Sequence, residues 1–270
     1  METTKAKQCL LPCLFGLFCF VLQSCGSIHS GLFSAAPDPA SRQEARAILS
    51  VHENANNTLL SFKGIGKIEL TRNGKDVFTA RSAWAGSYPD RFRIELLAMS
   101  GQPLISMAYD RDLFSYFSHT DATYFQDDVS GATLERLSSI PVAIEDIMKF
   151  LTGRIPVSEH ATSYLERLAP DKGFLLVLEA DWTGVTEKIY LDETKSKIYK
   201  VELFGITGAL KYRAELRDEL LVDGYRLPAH LTLSNGKGDT VRFRIDRYIA
   251  NAPVEESMFT ITPPEREETQ

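Results

Sequence analysis

The feature that most constrains the fold is an alternation of apolar and polar residues that recurs along most of the chain after residue 58. A side-chain period of two places successive residues on opposite faces of a β-strand. Asn73-Gly74 and Asn235-Gly236 separate such runs, and pairs of this kind favour tight hairpin turns because both residues tolerate a positive φ angle. The sequence therefore predicts consecutive antiparallel strands, each with one apolar and one charged face.

The number of these runs limits the possible architectures. We count about ten or eleven strands, interrupted by one helical region. An antiparallel sheet of that size must curl or close, because a strongly twisted open sheet rarely grows so large. Its apolar face then becomes an interior, and the helices are available to cover it. The apolar fraction of 44% is normal for such a packed domain.

A helix is predicted ahead of the first strand, over residues 41–56. Ala45 and Leu49 share one face of this stretch at helical spacing. Ser41 and Glu44 have the spacing of a capping box, in which each side chain binds the other residue's backbone N–H. We therefore expect the helix to begin at Ser41.

The helical region that interrupts the strands is expected to contain three pieces. Residues 142–151 carry apolar side chains at helical spacing after Pro141, and Gly153 follows where a C-cap is wanted. A short helical turn is expected at residues 133–137, and another short helix is possible near residues 158–168.

The N-terminus resembles a lipoprotein signal peptide. Residues 10–22 are almost entirely apolar and follow two lysines, but a stable bilayer span needs about 20 such residues. A basic start and a short apolar run instead indicate a secretory signal. Leu22 and Ser24 precede Cys25 with the spacing of the bacterial lipobox, which predicts removal of residues 1–24 and acylation of the Cys25 thiol.

The cysteine positions fit that interpretation. Cys9, Cys13 and Cys19 would leave with the signal, so Cys25 would be the one remaining thiol and no internal disulfide could form. Two or more acyl chains on Cys25 would anchor the protein stably to a membrane. Gly26 stands where an Asp would favour retention in the inner membrane, so membership of the lipoprotein class implies the periplasmic face of the outer membrane. The alternative is an ordinary cleaved signal in which Cys25 is incidental.

The mature chain divides into three parts. Residues 25–40 are small, polar and rich in turn formers, which predicts a flexible tether with a reach on the order of 20 Å. Residues 41–262 form the expected domain, and residues 263–270 are expected to be a disordered tail. The net charge of −6 disfavours nucleic acid as a partner.

Three stretches, taken in order behind the lipobox, resemble the LolA/LolB family and most closely its LolB branch of outer-membrane lipoprotein receptors. Residues 90–94, with Leu96 and Gly101 after them, are similar to a family strand and its protruding turn. Residues 140–153 are similar to the lid helix, which begins after a proline and ends before a glycine. Residues 240–246 are similar to the final strand.

The resemblance covers residues 62–250 and implies a mainly β fold with an α-helical lid. The expected architecture is an unclosed antiparallel β-barrel of about ten or eleven strands, with an N-terminal helix and a lid near residues 131–168. Its apolar cavity would hold the acyl chains of lipoproteins delivered by a periplasmic LolA-like chaperone. The resemblance implies a monomer without a cofactor or metal.

The resemblance implies two sets of residues for such a cavity, one for its walls and one for its lid. The walls would be formed by the inward-facing residues Phe62, Ile68, Phe78, Trp84, Phe92, Ile94, Leu96, Tyr212, Leu231 and Phe243. The lid would contribute Ile140, Ile144, Ile147, Met148 and Leu151. Each of these residues could equally belong to an ordinary hydrophobic core, because a lidded pocket and a packed core both need apolar walls.

The protruding turn departs from the family pattern. The receptor inserts an exposed leucine of this turn into the membrane, whereas an ungapped match places Ser100 at that position. Either Leu97 or Met99 takes over this membrane-probing role, or the insertion function is absent. An extension through residues 259–261 is also absent from minimal receptors.

Two functions from different classes remain open. The first is a carrier that localises acylated lipoproteins to the outer membrane, and the second is a scaffold or lipid-sensing lipoprotein that binds a protein partner without transfer. A hollow interior favours the first, and a filled interior with an apolar patch elsewhere favours the second. An enzyme is not expected, because no metal-binding His motif and no G-x-S-x-G elbow is present.

Overall fold

The computed structural model describes residues 38–111, 113–128 and 138–262. These residues form one antiparallel sheet of thirteen strands together with two α-helices and a short 3-10 helix. In chain order the elements are α1 (Pro39–Glu53), β1 (Ser61–Arg72), β2 (Lys75–Ser87), β3 (Arg91–Leu97), β4 (Pro103–Asp110), β5 (Leu113–Ser118), β6 (Thr123–Asp128), α2 (Ile144–Leu151), β7 (Thr162–Arg167), β8 (Phe174–Ala180), β9 (Gly184–Leu191), β10 (Ile198–Phe204), β11 (Leu210–Val222), β12 (Tyr225–Ser234), β13 (Thr240–Ala250) and η1 (Glu256–Phe259).

The sheet consists of two meanders that join in the middle. Its strand order is β6-β5-β4-β3-β2-β1-β13-β12-β11-β10-β9-β8-β7, so the first and last strands of the chain pair with each other. Strands β6 and β7 are the two edges, and within the described residues they do not pair with each other. The sheet is therefore curled but not closed, as predicted.

Alternation in the sequence determines which side chains enter the concave face. In β3, Phe92, Ile94 and Leu96 are buried, while the residues between them are half-buried. The same alternation recurs in β1 and β13, whose buried residues belong to one continuous apolar cluster that lines the concave side. The hydrophobic core of the protein is thus the inside of the half-barrel.

Glycines on the concave face allow large aromatic rings to lie flat in the core. The indole of Trp84 covers Gly64 so closely that a Cβ atom there would lie 2.3 Å from Nε1. The ring of Phe62 covers Gly86 in the same way, at 2.4 Å. A Cβ atom at either glycine would overpack the core and push these rings out of position.

Helix α1 begins two residues earlier than predicted, and the predicted capping box is wrong. Its N-cap residue is Asp38, whose side chain makes no capping hydrogen bond. The Ser41 hydroxyl instead donates to the carbonyl oxygen of Leu165 at 2.7 Å and accepts its N–H at 2.9 Å. Because Leu165 lies in β7, this contact places α1 along an exposed sheet edge, which would otherwise present unpaired backbone groups.

The two strands that the sequence did not predict are the two edges of the sheet. Residues 123–128 lack an apolar alternation and were not predicted as β6. The short helix expected near residues 158–168 is wrong, because Thr162–Arg167 pairs with β8 as strand β7. Edge strands bury little, so their hydrophobic pattern is weak. The helical turn expected at residues 133–137 lies outside the described residues.

Candidate functional site

The candidate site is the apolar concave face together with helix α2, which lies on it. Nine of the ten predicted wall residues belong to one contiguous buried cluster. These nine are Phe62, Ile68, Trp84, Phe92, Ile94, Leu96, Tyr212, Leu231 and Phe243. They come from β1, β2, β3, β11, β12 and β13, so the central strands of the sheet bring them together.

Phe78 is the exception, with 36% of its surface exposed. Strand β2 is longer than β3, which pairs only with residues 81–87. Residue 78 therefore has no β3 neighbour beside it and lies at the rim of the concave face. Its ring still borders a small cavity next to Ile68 and Leu70.

Helix α2 fills the space enclosed by the sheet. The five predicted lid residues, Ile140, Ile144, Ile147, Met148 and Leu151, are all at least 97% buried in the apolar cluster. Phe150 is also fully buried, and its ring packs edge-on against Tyr212 with centroids 6.5 Å apart. Phe150 was not among the predicted lid residues, although it belongs to the same apolar helix.

In the described part of the chain, two small cavities border the predicted wall and lid residues. One cavity of about 70 Å³ lies between Phe78, Ile105 and Val241. A second, of about 20 Å³, lies between Phe114 and helix α2. Ligand sites for small molecules typically measure about 300–1,000 Å³. An acyl chain therefore fits on the concave face only if α2 moves away from it.

Two carboxylates of α2 bind tyrosines on opposite halves of the sheet. Tyr212 of β11 donates its hydroxyl proton to Asp146 at 2.9 Å, and Tyr109 of β4 donates to Glu145. We call these four residues the lid latch. Burial raises the pKa of Asp146 against the attraction of Lys149, and burial together with Asp146 raises the pKa of Tyr212. The latch thus consists of two hydrogen bonds that join α2 to the sheet within an otherwise apolar interior.

Glu187 is a fully buried carboxylic acid beside the latch. One carboxylate oxygen accepts the backbone N–H of Ser158 at 2.7 Å, and the other has no hydrogen-bond partner in the described part of the chain. Burial raises the pKa of Glu187 to about 7; the charge of Asp146 adds to the rise, and Lys149 opposes it. The sequence does carry a signal for Glu187, because this glutamate stands two residues before Ile189 and therefore on the same, inward face of β9.

The protruding turn between β3 and β4 exposes one apolar side chain. Met99 is 94% exposed, whereas Leu97 is half-buried at the end of β3. Gly101 has a φ angle of +88°, which closes the turn. Of the two residues considered for membrane contact, Met99 is therefore the accessible one.

Residues 38–111, 113–128 and 138–262 contain neither a candidate metal cluster nor a helix that could span a membrane. No group of three or more His, Cys, Asp or Glu side chains in these residues could hold a metal ion. In the same residues no helix has both the length and the apolar character needed to cross a bilayer. Cys25 and residues 263–270 lie outside the described residues.

Comparison with known proteins identifies the fold. No protein-family model and no curated protein matches the chain. A DUF1329 family protein from Desulfovibrio piger is similar in structure, with a TM-score of 0.59 and 8% identity over 82% of this chain and 97% of that one. A LolA superfamily protein from Nitrosomonas europaea has a TM-score of 0.55 and 14% identity over 84% of this chain and 99% of that one.

These similarities define the class of the fold. The chain is a mainly β protein with an unclosed antiparallel sheet, an N-terminal helix and a second helix against its apolar face. This is a LolA-like fold.

Removing the two tyrosine hydroxyls of the latch should release α2. Hydrogen bonds to charged groups contribute about 1.5–3 kcal/mol each. We therefore expect the double variant Tyr109→Phe/Tyr212→Phe to raise the open population of α2 roughly a hundredfold or more. Hydrogen exchange of the α2 amides, compared with those of β11, measures this change.

The matched control is Tyr164→Phe/Tyr190→Phe, which removes two tyrosine–carboxylate bonds that do not involve α2. This control should leave exchange in α2 unchanged. Equal protection of α2 in both double variants would contradict a latch.

Glu187 should make the protein less stable as pH rises. Between its ordinary pKa of 4.5 and its raised pKa of about 7, the folded chain keeps a proton that the unfolded chain has released. The free energy of unfolding therefore falls through this window, by about 3 kcal/mol at 1.36 kcal/mol per pKa unit. Glu187→Gln should lose this component of the pH dependence in urea unfolding at pH 4.5 and 8, and the exposed variant Glu159→Gln should retain it. Parallel pH profiles for Glu187→Gln and the unmodified chain would contradict the assignment.

Proposed function

We propose that the protein is a membrane-anchored carrier that binds the acyl chains of lipoproteins on its concave face and helps to localise them to the outer membrane. The observation that carries this proposal is the arrangement of α2, whose buried apolar side chains pack into the apolar cluster on the concave face. An acyl chain presents the same chemistry, so it can replace α2 on the same apolar walls. Each methylene that leaves water contributes about 0.8 kcal/mol.

The proposed cycle begins with a LolB-like receptor tethered through acylated Cys25 at the periplasmic face of the outer membrane. A LolA-like chaperone delivers the lipoprotein, α2 leaves the concave face, and the acyl chains take its place. Met99 on the protruding turn then enters the bilayer and provides the route for release. The chains pass between apolar environments throughout, so a monomer without a cofactor or enzymatic activity suffices.

A second candidate is a scaffold or lipid-sensing lipoprotein that binds a protein partner and transfers nothing. The small interior favours this candidate, since the cavities of about 70 and 20 Å³ hold no acyl chain while α2 is in place. The two candidates differ in whether α2 ever leaves the sheet.

Photochemical crosslinking distinguishes them. The full chain, carrying Cys25→Ser to block lipid attachment, receives p-azidophenylalanine at Phe92 on the concave face. After irradiation with a triacylated lipopeptide bound to its chaperone, the carrier proposal predicts an adduct at residue 92. The matched control carries the same group at Trp182, which is 97% exposed, and should form none.

A folded sample that yields no adduct at residue 92 would contradict the carrier proposal. If it also leaves the lipopeptide with its chaperone, the scaffold candidate is favoured.

A further inference from the structure

An apolar groove lies on the outer face of the sheet, on the side away from α2. Its volume is about 750 Å³, within the range of about 300–1,000 Å³ typical of single-ligand sites. The floor is made by outward-facing residues of three neighbouring strands, Ile65, Ala83, Ala85 and Ile249. The groove is closed by Leu220, Val222 and Met258. We call it the outer groove.

The strand register explains why a groove forms here. Ile65 of β1 pairs with Ala83 of β2, and Ala83 pairs in turn with Glu95 of β3. The two alanines therefore lie between larger side chains on both sides, which makes a depression along β2. Exposed fractions of 40% for Ile65 and 56% for Ile249 leave apolar surface open to water beside it. Contiguous exposed apolar surface of this kind marks binding sites.

Two of the cations around the outer groove have no carboxylate partner in the described part of the chain. Glu95 is paired with Arg93 at 2.6 Å, and Asp246 is paired with Arg244 at 2.9 Å. Lys63 and Arg247 also border the groove. Within the described residues, neither has a carboxylate partner within 4.0 Å.

The backbone positions of Lys63 and Arg247 are close together. Lys63 pairs with Ile249 and Arg247 pairs with Ile65, so the two cations occupy diagonal positions on neighbouring strands. Diagonal neighbours are about 7–8 Å apart. An anion placed between them would relieve their repulsion. A carboxylate can accept bidentate hydrogen bonds from Arg247 while the ammonium of Lys63 adds a point charge.

We propose that the outer groove binds a long-chain fatty acid. The alkyl chain lies over Ile65, Ala83 and Ile249, and the carboxylate lies between Lys63 and Arg247. The volume suits one alkyl chain rather than a two-chain lipid. This site is on the opposite face of the sheet from the lid, so the inference does not depend on the carrier function of the concave face.

The probe for this site is 5-doxyl-stearate, added to the full chain carrying Cys25→Ser. Its nitroxide should broaden the amide signals of Ile65, Ala83 and Ile249, while Leu176 and Ile189 on the concave side stay sharp. The methyl ester of the same acid should bind at least tenfold more weakly, because it has no negative charge.

Charge reversal at the two cations tests the head-group contacts. Lys63→Glu/Arg247→Glu should weaken binding of the acid at least tenfold. The matched control, Lys75→Glu/Lys237→Glu, makes the same charge change outside the groove and should bind like the unmodified chain.

Three results would overturn the proposal. Broadening confined to the concave side would assign the fatty acid to the interior. Equal affinity for the acid and its methyl ester would remove the head-group contact. Absence of binding to a folded chain would leave a protein partner, or the acidic residues 263–270, as the occupant of the groove.

Discussion

The structure depends on one constraint, which is that the apolar concave face of an open thirteen-stranded sheet must be kept from water. Closure into a barrel would meet this constraint, but the edge strands β6 and β7 do not pair in the described residues. Helix α2 helps to meet it instead, by burying Ile144, Ile147, Met148, Phe150 and Leu151 in the apolar cluster of the concave face. The apolar cluster is therefore completed by an element that contributes no strand to the sheet.

This solution makes α2 exchangeable in principle, since apolar burial and the two hydrogen bonds of the latch hold its body. Hydrogen bonds from Asn56 to Thr152 and from Arg154 to Asn56 fix its C-terminal end. An alkyl chain of about sixteen carbons gains on the order of 10 kcal/mol when fully buried, at about 0.8 kcal/mol per methylene. Measured from water, that gain exceeds the roughly 3–6 kcal/mol expected from the two hydrogen bonds of the latch. A chain handed over from another apolar site gains less. The remaining cost is the exposure of the α2 apolar face, which a membrane or partner surface can offset.

Two buried acids make the stability of the protein depend on pH. Asp146 and Glu187 both have raised pKa values because burial penalises their charged forms. A charged Glu187 weakens the folded state, and a protonated one strengthens it. The stability of the fold is thus linked to pH through a residue that has no other role in the proposed transfer.

Much of this could be predicted from sequence, for physical reasons. Alternation marks strands that bury one face, so the central strands were predicted and nine of the ten residues expected to point inward are buried. Phe78 is partly exposed because β3 ends before reaching it. The edge strands bury too little to carry that signal. Ser41 contacts Leu165, far away in sequence, and no local pattern reports such a bond. The latch and the outer groove arise from strand register and long-range packing, which only the folded chain reveals.

The central claim is that α2 and an acyl chain compete for the same apolar walls. The direct measurement is the distance between two spin labels, determined by pulsed electron–electron double resonance with and without a triacylated lipopeptide. One label is attached at the half-buried Lys149 of α2, and the other at the exposed Asp181, which directly follows β8. The account predicts a single short distance for the free protein and a longer, broader distribution when lipopeptide is bound. An unchanged distance with lipopeptide bound to the concave face would contradict it.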